Sequence, residues 1–281
     1  MRTAAFGPTG VQVPVIGQGT WQMERDDRAA CVAALRRGIE LGMTHIDTAE
    51  LYGRGVVEGI VAEAIGGARD RLYLVSKVLP ENASRAGTVR ACEQSLRRLG
   101  VDYLDCYLLH WGGPYPLAET IAGFEELRTR GLIRAWGVSN FDDQEVAEAV
   151  RIGGRGSCAC NQVLYHLKER SIEHRVIPRC EELGVAVVAY SPFGSGDFPG
   201  PRDRGSRALA EVATARGATA HQIALAFLSR RASVFTIPKT CNRARVDDNA
   251  GAGDLVLTDA EVSVIDAAFP RGRARAGVPT L

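Results

Sequence analysis

The sequence predicts a parallel (β/α)8 barrel of the TIM type, one domain over residues 1–281 with an N-terminal β-hairpin and an extra C-terminal helix. Three observations carry this. Eight short runs of β-type residues alternate with amphipathic stretches. No low-complexity linker divides the chain. Several of the apolar runs end on a polar residue, as strands do when their C-terminal ends face a working mouth.

The hairpin is read from Thr3 to Phe6, a Gly-Pro-Thr-Gly turn, and Val11 to Pro14. The β runs lie near Ile16 and at Thr44–Asp47, Leu72–Val78, Tyr103–His110, Ile133–Val138, Ala159–Val163, Ala186–Tyr190 and Val234–Ile237. Helical spacing of apolar residues marks Asp27–Leu41, Thr88–Leu99, Leu117–Thr129, Asp142–Ile152, Ile172–Leu183, Ala220–Ser229 and, last, Thr258–Phe269. Two segments break the economy of short loops. Ser191–Arg204, rich in Gly and Pro, reads as a lid or clasp, and Arg271–Leu281 as a Gly/Arg tail. A doubly wound dinucleotide fold needs G-x-G-x-x-G after its first strand, whereas the early glycines read Gly17-Gln-Gly19-Thr-Trp-Gln. A Walker-type G-x-x-x-x-G-K-[ST] is also missing.

Lys+Arg 34 against Asp+Glu 33 leaves a formal charge of +1 with the signs interspersed, so neither nucleic acid nor an anionic membrane is an expected partner. Neither a signal-like N-terminus nor a run of membrane-span length is seen, and a cytoplasmic monomer is the expectation. Seven cysteines, scattered in apolar segments (Cys31, Cys92, Cys106, Cys180), suit reduced, packed thiols rather than a disulfide framework. Cys158 and Cys160, two apart on one strand, would share a face. With no further ligand spaced to complete a metal set, they read as small residues of the barrel wall, and no metal is expected.

Asp47, Lys77 and His110 each end or nearly end a β run, and Tyr52 follows the second on its loop. A buried lysine, aspartate and histidine lose much hydration unless they meet one another, so convergence at one mouth is favoured. Side-chain parity agrees: Tyr73, Val75 and Lys77 share one face, as do His45 and Asp47. Gathered around one tyrosine they make a tuned phenol, since an adjacent ammonium favours its phenolate. The motifs Asp47-Thr-Ala-x-x-Tyr52-Gly53, Ser76-Lys77-Val78 and Leu108-Leu-His110-Trp111 occur in the order and separations of the aldo-keto reductases, and the chain resembles that family from the first hairpin to about Asn249. The resemblance implies that Asp47, Tyr52, Lys77 and His110 are the catalytic tetrad, with Tyr52 as general acid in reduction.

It implies a nicotinamide cofactor as well. Gly19, Thr20, Trp21 and Asp47 would border it. Ser139, Asn140 and Gln162 would hold the carboxamide, with Tyr190 stacked beneath the ring and Ser191, Phe193 and Gly194 near the pyrophosphate. Lys239, Thr240 and Arg245 would read a 2′-phosphate, which favours NADPH over NADH, with Asp248 and Asn249 beside the adenine. Trp21, Tyr52, Leu79, His110 and Trp111 would line the substrate pocket, and a short tail without aromatic residues after Phe269 would leave its mouth open to small aldehydes and ketones. Bacterial relatives acting on methylglyoxal or keto sugars look most similar. Two other readings stand beside this one: a Schiff-base aldolase or lyase using Lys77 as nucleophile, and a slowly turning NADPH-binding redox sensor.

Overall fold

The computed structural model describes residues 1–200 and 202–281; Pro201, in the expected Ser191–Arg204 loop, lies outside the described residues. A two-stranded antiparallel hairpin, β1 (Thr3–Ala5) and β2 (Gln12–Pro14), precedes eight parallel strands. These are β3 (Gln18–Gly19), β4 (His45–Asp47), β5 (Tyr73–Val78), β6 (Leu104–Leu109), β7 (Ile133–Ser139), β8 (Cys158–Leu164), β9 (Ala186–Tyr190) and β10 (Val234–Ile237), each paired with the next. The ring closes through a parallel bridge between Ile16 and Thr236, with Thr236 N–H donating to Val15 and Gly17 N–H donating back to Thr236. Glycine is required at this seam: a Cβ on Gly19 would lie 2.6 Å from the Ile237 carbonyl oxygen.

Helices wrap the barrel: α1 (Arg28–Glu40), α2 (Val56–Ile65), α3 (Arg85–Leu99), α4 (Leu117–Thr129), α5 (Asp143–Gly153), α6 (Val176–Leu183), α7 (Arg204–Arg216), α8 (Ala220–Leu228), α9 (Arg243–Gly251) and α10 (Asp259–Ala268). Their starts follow local chemistry. Asp27 caps α1, Ser84 caps α3, and Asp142, Thr219 and Thr258 form capping boxes at α5, α8 and α10, each cap worth about 1 kcal/mol. The stretch expected as one helix over Ile172–Leu183 is instead a 3-10 turn at Ser171–Glu173 followed by α6. Pro178 explains the break, because its ring is accommodated only in a first helical turn, where its missing N–H is not needed. Helices α2, α7 and α9 fall outside the stretches that apolar spacing marks. The buried face of α7 rests on Leu209, Val212 and Ala213, a weak apolar signal among small residues.

Two apolar shells result. One fills the space between strands and helices, and the other fills the barrel interior with Tyr73, Val75, Cys106, Leu108, Phe235 and their neighbours. The hairpin closes the N-terminal end of the barrel. Phe6, fully buried, sits with its ring centroid 4.7 Å from Tyr73, 5.0 Å from Phe235 and 5.6 Å from His45. Its turn comes so close to the wall that a Cβ on Gly7 would meet the Ala159 carbonyl oxygen at 2.2 Å, and Gly7 has φ +53°.

Two cysteine expectations are overturned. Trp136 pairs with Cys158 but Val138 pairs with Asn161, so an irregularity in β8 turns Cys158 to the outer shell and Cys160 to the inner one. They do not share a face. Cys31 is not a reduced thiol but is joined to Cys241 by a disulfide, their Cα atoms 4.3 Å apart across 210 residues of sequence. Barrel closure sets the first turn of α1 beside the segment after β10, a proximity no spacing rule reveals. The other five cysteines are free and buried. Among the described residues no helix is long and apolar enough to cross a membrane.

Candidate active site

The C-terminal ends of the strands deliver polar groups to one mouth. Asp47 ends β4, Lys77 is the fifth residue of β5, and His110 directly follows β6. Lys77 is fully buried and uses its ammonium three times: Nζ donates to Asp47 Oδ1 at 2.5 Å, to the Thr48 carbonyl at 2.9 Å and to Tyr52 Oη at 3.2 Å. Asp47 Oδ2 accepts from Gln162 Nε2 at 2.7 Å. Tyr52 is seated by the turn after β4, where Gly53, Arg54 and Gly55 all take positive φ, and its ring meets the His110 ring edge to face at 5.8 Å. Asp47, Lys77 and Tyr52 are therefore joined by hydrogen bonds, and His110 meets the set through the Tyr52 ring.

Burial and charge pull these groups in opposite senses. Burial pulls the Lys77 ammonium down, but Asp47 and Tyr52 more than offset it, so Lys77 stays charged. The Tyr52 phenol is raised above its ordinary value, chiefly by burial, with Lys77 offsetting part of the rise. Desolvation is thus a larger influence on Tyr52 than the lowering expected from Lys77. Burial, then Lys77, holds His110 well below the ordinary histidine range, so its imidazole is neutral with one N–H, and Nδ1 is buried with no partner.

Around this centre lies a cavity of about 720 Å³ lined by Gly19, Thr20, Trp21, Asp47, Tyr52, His110, Trp111, Ser139, Asn140, Gln162, Tyr190 and Ser191, all named from the sequence. Asn140 takes φ +61°, a conformation asparagine tolerates; its Nδ2 donates to the His110 carbonyl and Ser139 Oγ, and its Oδ1 accepts from Tyr190 Oη at 2.9 Å. A second cavity of about 390 Å³ shares Trp21, Ser191 and Lys239 with the first, so the two form one groove. Phe193, Thr240, Arg245, Asp248 and Asn249 line its far part.

Several details depart from expectation. Leu79 does not line the cavity. Its N–H donates to Glu50 Oε1 at 2.7 Å, and Leu51 lines the wall instead. Gly194 is buried against His166 rather than facing the groove. Asp248 accepts from Thr219 Oγ1, tying α9 to the cap of α8, although it still borders the groove. The Lys239 ammonium is engaged by Asp26. The tail does not stand clear of the site, since Val278, Thr280 and Leu281 line the larger cavity. His221, stacked on Phe198 at 4.1 Å, also borders the smaller cavity and had no sequence signal. Asp26, Cys31 and Cys241 bring potential metal-ligand atoms within 4.8 Å of one another, but the two sulfurs are bonded to each other.

Comparison with known proteins agrees with this architecture. Residues 15–269 match the Aldo/keto reductase family. The methylglyoxal reductase YeaE of Escherichia coli (strain K12) is 43% identical over 267 residues, 94% of each chain, and the glyoxal reductase of Bacillus subtilis is 31% identical over 258 residues, 92% of this chain and 90% of that one. An aldo/keto reductase from Klebsiella pneumoniae, solved in complex with NADP and acetate, superposes with a TM-score of 0.93 at 42% identity, covering 100% of both chains. The chain belongs to the aldo/keto reductase family.

Proposed function

We propose that this oxidoreductase uses NADPH to reduce small aldehydes and ketones, 2-oxoaldehydes such as methylglyoxal among them, with Tyr52 as the proton donor. The observation that carries the reading is the Lys77 ammonium, bonded at once to Asp47 and Tyr52 beneath a cavity walled by aromatic residues. NADPH, when bound, supplies the hydride. The chain's own residues deliver the proton and hold the reactants. Tyr52, raised by burial, stays protonated at neutral pH and so is an acid rather than a phenolate at the start of reduction. As its proton leaves for the carbonyl oxygen, the charge forms 3.2 Å from the Lys77 ammonium, which is already fixed in place. Neutral His110 directs its pocket-side Nε2–H at the same oxygen.

The groove fits the cofactor chemically. Gln162 commits its amide nitrogen to Asp47, which leaves Oε1 for a carboxamide, and Tyr190 supplies an aromatic face at the end of β9. Lys239, Thr240 and Arg245 stand where the groove meets the N-terminus of α9, a setting that favours a phosphate. The Schiff-base reading is disfavoured by geometry, because all three N–H bonds of Lys77 are directed at oxygen acceptors and Asp47 keeps the amine protonated. Loss of NADPH absorbance with methylglyoxal, glyoxal and an aromatic aldehyde tests the activity. Absence of turnover with all three, in protein that binds NADPH, would remove the proposal and leave a binding protein in its place.

A further inference from the structure

We propose that Cys31 and Cys241 form a thiol–disulfide exchange site that sets the protein's hold on the cofactor's 2′-phosphate. The inference rests on the reading of Lys239, Thr240 and Arg245 as phosphate-binding residues. Cys241 lies two residues beyond Lys239 and directly after Thr240, on the short segment between β10 and α9. The disulfide fastens that segment to the first turn of α1. Asp26, just before α1, accepts from the Lys239 ammonium, and its Oδ2 also lies 3.4 Å from Cys241 Sγ. The disulfide and the ion pair thus draw one segment onto one place. While both are made, Lys239 is held by a carboxylate of its own chain, and a phosphate must displace Asp26 to reach it. Opening the disulfide frees the segment to move toward a phosphate. The α1–α9 packing persists, because Arg37 and Asp247 still join the two helices at 2.6 Å.

The two sulfurs are not equivalent. Cys31 has no exposed surface, whereas Cys241 is partly exposed, so exchange enters at Cys241. A small-molecule thiolate attacks the Cys241 sulfur, the S–S bond breaks, and Cys31 departs as a thiolate that takes up a proton. A second thiol then displaces Cys241 from the mixed disulfide. In balance, the protein disulfide and two thiols become two protein thiols and one small disulfide, with two electrons passing to the protein. Oxidation by a small disulfide is the reverse.

The test uses wild-type protein equilibrated with oxidised glutathione or with a dithiol reductant and then desalted. Thiol titration after denaturation is expected to find five thiols in the first and all seven in the second. Dissociation constants from tryptophan quenching are expected to show NADPH bound about tenfold more tightly by the reduced protein, the scale of one charge-assisted hydrogen bond, with NADH nearly unchanged. Asp26→Asn should tighten NADPH in the oxidised state and shrink the redox difference, because the two restraints act on the same lysine. Glutathione should be trapped on Cys241 in Cys31→Ser and at neither position in Cys241→Ser. Seven thiols after oxidation, equal NADPH affinity in the two states, or a parallel change for NADH would each overturn the inference. Lys239→Ala with Arg245→Ala, measured in the reduced protein, tests the underlying phosphate reading separately: an equal loss for NADH and NADPH there refutes that reading, whatever the redox result.

Discussion

The two ends of the barrel bury polar side chains in opposite ways. At the C-terminal end Lys77, Asp47, Gln162 and Tyr52 form a connected set in which each group has a partner. At the N-terminal end His45 and Tyr73 lie beneath the Phe6 plug, and both His45 nitrogens and the Tyr73 hydroxyl are buried with no partner. Partnership lets Lys77 remain charged at full burial, whereas isolation pushes His45 down to about 3, by burial first and then by Lys77, and keeps it neutral. Burial by itself therefore does not mark a chemical site. A buried group that keeps its charge, opening onto a cavity, does.

The largest effect that sharpens this contrast is expected from Tyr52→Phe. The ring and its packing on His110 survive while the proton donor is lost, so turnover should fall about 10²–10⁴-fold with NADPH affinity retained. Steady-state kinetics with fluorescence titration check this, and unchanged turnover would move the proton donor elsewhere. At the opposite end, Phe6→Ala should lower stability by about 3–5 kcal/mol through a cavity in the plug, seen as a lower denaturant midpoint. The kcat of the folded protein should hold; a fall comparable to that of Tyr52→Phe would show that the ends are coupled.

Lys239→Ala with Arg245→Ala should weaken NADPH by about 2–4 kcal/mol, since each charge-assisted contact is worth roughly 1.5–3 kcal/mol and Lys239 must first leave Asp26. NADH, titrated in parallel, should change little. The smallest effect at neutral pH belongs to His45→Leu, which replaces an unpaired imidazole by an apolar group and should leave stability at pH 7 unchanged or slightly raised. The pH dependence supplies the sign. Folding depresses the His45 value, so the unfolded chain binds the proton more readily, and the wild type loses stability as pH falls from about 6.5 toward 3. The variant lacks that loss and should gain on the wild type by about 1.4 kcal/mol per pH unit in this window. Parallel acid-denaturation profiles for the two proteins would contradict a neutral His45.

The sequence by itself determined what short-range periodicity can encode. Alternation along β4 and β5 put Asp47 and Lys77 on their inward faces near the working end. Caps such as Asp27 and Asp142 set helix starts within a residue or two, and the run Leu117–Thr129 was legible to its bounds. That Asp47, Lys77 and His110 gather at one end was readable because the barrel supplies one common mouth for strand ends, whereas the groove residues were named from the family resemblance rather than from periodicity. Only the tertiary structure decided the rest. The turn of Cys158 away from Cys160 depends on pairing with β7, and the tail at the cavity mouth depends on where α10 docks. The Lys239–Asp26 pair and the Cys31–Cys241 disulfide join residues 213 and 210 positions apart. Periodicity and propensity act over a few residues, whereas these pairings exist only because a closed ring of eight strands returns its last strand to its first.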